Sequence, residues 1–102
     1  VRVIAAGRTD TGVHALGQVV HFSATWRREP SELQRALNAV LEDDVAIREL
    51  SVAPPGFHSR FSAVSREYRY TIQNGKVRSP LTRRLAHHVE QPLDDSAMNR
   101  AC

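Results

Sequence analysis

The sequence predicts an α+β domain with a mostly antiparallel sheet and flanking helices. Three observations carry this: short β-branched runs near the start, a 3.6-residue apolar period after Pro30, and a two-residue period through Tyr68, Tyr70 and Ile72. The elements read in order as strand, loop, strand, helix, strand, strand, strand, helix.

Residues 1–6 are apolar and partly β-branched, as a strand requires. Residues 7–17 hold three glycines, two threonines and Asp10. That loop is longer than the 2–5 residues usual in a hairpin, and long ordered loops tend to carry function. Gln18-Val19-Val20-His21-Phe22 resumes a strand. Pro30 opens a helix, with Ser31 as its cap and Gln34 completing a capping box. Leu33, Ala36, Leu37, Val40 and Leu41 give it one apolar face. Glu42-Asp43-Asp44 stand at the wrong end for the helix dipole and read as the exit loop. Residues 45–52 alternate as a strand until Pro54-Pro55-Gly56 breaks it. Residues 65–72 form the next, with Asn74-Gly75 as a hairpin signal and residues 85–89 as the return strand. Asp94 then caps a second helix.

Composition excludes several classes. No apolar run approaches the ~20 residues of a membrane-spanning helix. Residues 1–4 lack the pattern of a signal peptide. The one cysteine, Cys102, rules out a disulfide framework and fits a reducing, cytoplasmic setting. Net charge is +3, and every cation except Lys76 is arginine. Between Arg60 and Arg84 the cations face a single acid, Glu67. Arginine forks suit phosphates and bases, so nucleic acid is the expected partner.

The densest group of chemical residues is Gly7-Arg8-Thr9-Asp10-Thr11-Gly12-Val13-His14. The hydroxyls of Thr9 and Thr11 and the N–H groups of a glycine-bounded turn are expected to bond Asp10 and favour its charged form. A charged loop aspartate can serve as nucleophile, general base or ligand; the plainer alternative is an Asx-turn closing the loop. Asp10-Thr11-Gly12 also matches the triplet of aspartic proteases, but the apolar strand before it and the later apolar pair with glycine are missing. No metal site is expected. His87 and His88 are adjacent on a strand and point to opposite faces, and His14 and His21 show no ligand spacing. His58 is left to face RNA or to pack.

Residues 6–15 followed by Gly17-Gln18-Val19-Val20-His21-Phe22 closely resemble the active-site motif of the TruA family of tRNA pseudouridine synthases. The likeness continues through Leu37-Asn38-Ala39, Phe57-His58-Ser59-Arg60-Phe61-Ser62-Ala63, Tyr68-Arg69-Tyr70 and Pro92-Leu93-Asp94, in family order. It implies isomerisation of uridine to pseudouridine in the tRNA anticodon stem-loop, at positions 38 to 40 by tRNA convention, without cofactor or metal. By the same resemblance Asp10 is catalytic, Arg8 takes the place of the flipped base, and Tyr68 stacks on the target uracil. A homodimer is implied as well.

The chain departs from the family at Thr11, where alanine is common, and at Glu42, where proline is common. The family's upstream Tyr-Asp-Gly and Gly-Trp-Gln segment is absent, as is the C-terminal half with its basic partner for the aspartate. The only methionine is Met98, and the last residues read as helix. The chain is therefore expected to be one partial domain over 1–102, the central part of the N-terminal half of a catalytic domain, and inactive alone. The alternative is a non-catalytic RNA-binding module.

Overall fold

Six short elements form: β1 (Ile4–Ala5), β2 (Val20–His21), α1 (Pro30–Asn38), β3 (Ile72–Asn74), β4 (His87–Val89) and α2 (Asp95–Ala101). The computed structural model describes all 102 residues, and the class is mixed α and β. The chain divides into two units, Val1–Arg8 with Gly17–Val64, and Thr9–Leu16 with Ser65–Cys102.

In the first unit β1 and β2 run antiparallel, Ile4 opposite His21 and Ala5 opposite Val20. Proline fits the first turn of α1 because that turn has no use for its N–H. Ser31 does not cap the helix: Glu29 holds the N-cap position in extended backbone, without a side-chain bond. Gln34 is engaged elsewhere. Its Nε2 donates to the carbonyls of Ile47 and Arg48, each at 3.0 Å. Asn38 pairs with the same segment, giving Nδ2 to the Ile47 carbonyl at 2.9 Å and accepting the Ile47 N–H at 2.7 Å. These bonds explain why residues 45–52 form no strand. The backbone groups of Ile47 that a ladder would use are taken by helix side chains.

In the second unit β3 and β4 are parallel, Gln73 opposite His88. Asn74-Gly75 is therefore not a hairpin turn, since a parallel pair needs a longer connection. The Asn74 amide has another task. Its Nδ2 donates to the carbonyls of Val89 and Gln91, and its Oδ1 accepts the Leu93 N–H. The strand expected over 65–72 shrinks to its last residue and the two that follow, leaving Tyr68 and Tyr70 exposed. α2 starts as expected, with Asp94 Oδ1 accepting the Ala97 N–H at 2.8 Å.

No apolar side chain in the chain is buried; Ser59, 2% exposed, is the only residue that is. The accessible surface is 9867 Å², whereas a folded monomer of this mass exposes about 5,800 Å². Burial is thus about 40% of the extended-chain surface, not the two-thirds expected of an independent domain. Polar cross-links do most of the holding.

Candidate active site

The loop that carries Asp10 leaves from β1 and returns to β2. Its base is closed in the first unit by Ala6 N–H to the Val19 carbonyl at 2.8 Å, and by Gln18 Nε2 to the Gly7 carbonyl at 2.9 Å. Beside that base lies the one buried residue, Ser59. Ser59 Oγ donates to the Ile4 carbonyl at 2.9 Å and lies 2.9 Å from His21 Nδ1. The Ser59 N–H also points to His21 Nδ1, at 3.1 Å. A backbone N–H can only donate, so Nδ1 is the acceptor and the ring proton sits on Nε2. The Ser59 hydroxyl proton is then shared between Nδ1 and the Ile4 carbonyl.

Aromatic packing reinforces this centre. The His21 ring meets His58 edge-on at 4.7 Å and Phe57 at 6.2 Å, and His58 stacks on Phe61 at 4.3 Å. His58 Nδ1 accepts the N–H groups of Arg60 and Phe61, and Ser62 Oγ accepts the His58 N–H. His58 therefore packs, closing its own turn. Arg8 follows β1 in this unit, exposed and without an ion pair.

Asp10 and Tyr68 belong to the second unit. The Asp10 carbonyl accepts the Val13 N–H at 3.0 Å, making a turn in which Gly12 has φ 84°. That left-handed backbone suits glycine. His14 Nε2 donates to the Arg84 carbonyl at 3.1 Å, anchoring the loop within the second unit. The expected donors to the Asp10 carboxylate do not form: neither threonine hydroxyl nor any turn N–H reaches it, so there is no Asx-turn. The reason lies in the backbone, which satisfies the turn through the Asp10 carbonyl and leaves the side chain outward. Tyr68 is 75% exposed, on irregular backbone. No hydrogen bond joins it to Asp10.

An outward carboxylate on an anchored loop can attack an electrophilic carbon or accept a proton from a bound substrate. An outward tyrosine offers a stacking face. No group of three or more His, Cys, Asp and Glu side chains is placed to hold a metal ion.

Sequence reasoning missed the supporting residues Gln18, His21, Ser59 and His14. Polar side chains set inside the apolar run of residues 18–22 were the available signal.

The sequence profile of a family described as tRNA pseudouridine synthase matches residues 1–62. The chain is 46% identical over 101 residues to tRNA pseudouridine synthase A of Geobacillus sp. (strain WCH70), covering 99% of this chain and 41% of that protein. It is 51% identical over 100 residues to the protein of the same name from Roseiflexus castenholzii (strain DSM 13941 / HLO8), covering 98% of this chain and 37% of that one. It is 45% identical over 101 residues to that of Shigella boydii serotype 4 (strain Sb227), covering 99% and 37%. The chain spans about two-fifths of the length of the curated relatives it matches.

Proposed function

We propose a function from one premise: the chain belongs to the tRNA pseudouridine synthase family. The protein that contains it isomerises uridine to pseudouridine in the tRNA anticodon stem-loop, at positions 38 to 40, with Asp10 as the catalytic carboxylate. The observation that carries this reading is the Asp10 side chain itself, exposed and unbonded on a loop that His14 ties to the Arg84 carbonyl.

The isomerisation breaks the C1′–N1 bond, turns the uracil and joins C1′ to C5. C5 then loses its proton and N1 gains one, so atoms balance with no redox partner. The carboxylate either attacks C1′ and holds the sugar as an ester, or adds to C6 of the base. A stacked base is out of reach, so the nucleotide must flip out at a cost of a few kcal/mol. Arg8 fills the gap with a flat cation, and Tyr68 stacks on the flipped uracil.

The rest of the protein completes the pocket, supplies a basic partner to Asp10, and covers apolar residues such as Leu16, Val64, Tyr70 and Leu81, which this chain leaves exposed. The complete sheet is mostly antiparallel, with β1 and β2 as one such pair. The whole protein is a cytoplasmic homodimer without a metal, and residues 1–102 are inactive alone, as one part of the N-terminal half of a catalytic domain.

The test uses the full-length protein and an anticodon stem-loop tritiated at uridine C5. Asp10→Asn is expected to lower tritium release at least about 10²-fold while RNA is still bound. Turnover that survives the substitution overturns the assignment. Binding without turnover in the unaltered protein favours an RNA-binding module instead.

A further inference from the structure

A depression of about 300 Å³ lies in the second unit, between β3, β4 and the turns that connect them. Its walls include Arg78, Arg83, His87, His88, Gln73 and Ser79, and no carboxylate. Between Gly75 and His88 the sequence carries four cations, two histidines and no acid. Arg78 and Arg83 are exposed and neither is ion-paired.

The walls are tied in place. Gln73 Oε1 accepts the Ser79 N–H at 3.0 Å and its Nε2 donates to the Val77 carbonyl at 3.0 Å, which holds the turn bearing Arg78. His88 Nε2 donates to the Gly75 carbonyl at 2.7 Å. The turn bearing Arg83 closes on itself through the N–H groups of Leu85 and Ala86, both to the Thr82 carbonyl. Two cations on anchored turns line one depression that has no anion to neutralise them, which favours binding of an oxyanion.

We propose that this depression binds a phosphodiester of the RNA backbone, with Arg78 and Arg83 as its charge-bearing contacts. The guanidinium fork matches phosphate geometry, and Ser79 adds a hydroxyl donor. Choosing RNA over free phosphate rests on the proposed function. It is supported by the bond from His14 to the Arg84 carbonyl, which ties the Asp10 loop to the turn that carries Arg83. A polynucleotide presenting one base to Asp10 carries further phosphates along the same unit.

The test measures binding of an anticodon stem-loop to the full-length protein from 50 to 200 mM salt. Loss of this one phosphate contact in Arg78→Gln/Arg83→Gln is expected to reduce the slope of log K against log salt by about 0.7 to 0.9. Arg78→Lys/Arg83→Lys, which keeps both charges, is expected to retain it. An unchanged slope in the glutamine variant, or an equal loss in the lysine variant, overturns the proposal. In a second arm inorganic phosphate is titrated while the His87 and His88 ring resonances are followed. Phosphate binding abolished by the glutamine variant, with the RNA slope unchanged, assigns the site to free phosphate and overturns the RNA assignment. An unaltered protein that binds no RNA overturns the proposed function and this inference with it; intact binding with an unchanged slope overturns this inference alone.

Discussion

The turn of residues 57–62 and the loop Thr9–Leu16 are both polar, and their side chains do opposite things. In the turn, His58 and Ser62 satisfy the turn's own backbone, and Ser59 reaches β1 and β2 through Ile4 and His21. In the loop, the Asp10 carbonyl and the His14 ring serve as anchors, and Asp10, Thr9 and Thr11 are exposed. A polar segment becomes scaffold when its side chains are consumed by nearby backbone. It stays available for chemistry when the backbone satisfies itself.

That contrast predicts a graded response to substitution, read from urea denaturation of the full-length protein. The largest loss is expected at the scaffold. His21→Leu leaves the N–H of buried Ser59 without an acceptor, and should cost about 1–3 kcal/mol. Asn38→Ala comes next, at about 1–2 kcal/mol, because the Ile47 N–H loses its acceptor while the Ile47 carbonyl keeps the bond from Gln34. Asp94→Ala should cost about 1 kcal/mol through the lost cap of α2. Asp10→Asn should change stability by less than about 0.5 kcal/mol, since its carboxylate has no internal partner. A substantial destabilisation by Asp10→Asn, or none by His21→Leu, would reverse the distinction between the two segments.

The helices were the most legible elements. α1 and α2 were visible in Pro30, in the spacing of Leu33 and Leu37, and in Asp94, because helix formation depends on residues close in sequence. The loop of Asp10 was legible in its glycines, and Arg8, Asp10 and Tyr68 are all exposed. What stayed hidden were the destinations of the amide side chains. Gln34 fits half of a capping box and binds residues 47 and 48; Asn74 fits a turn and bonds the end of β4 and the segment after it. An amide both donates and accepts, and it takes whichever backbone group lies nearest, which local sequence does not specify.

From the chain of residues alone came the two helices, the cationic stretch after Arg60 and the loop that presents Asp10, all set by local spacing, composition and backbone preference. Tertiary structure decided that β3 and β4 run parallel, that residues 45–52 bond to a helix instead of joining a sheet, and that His21 and Ser59 form the buried centre. Each of those choices pairs groups that are not neighbours in sequence, from nine residues apart for Asn38 and Ile47 to 38 for His21 and Ser59. Such pairs are selected by which unsatisfied donor and acceptor the folded backbone brings within reach, and that is a property of the assembled fold.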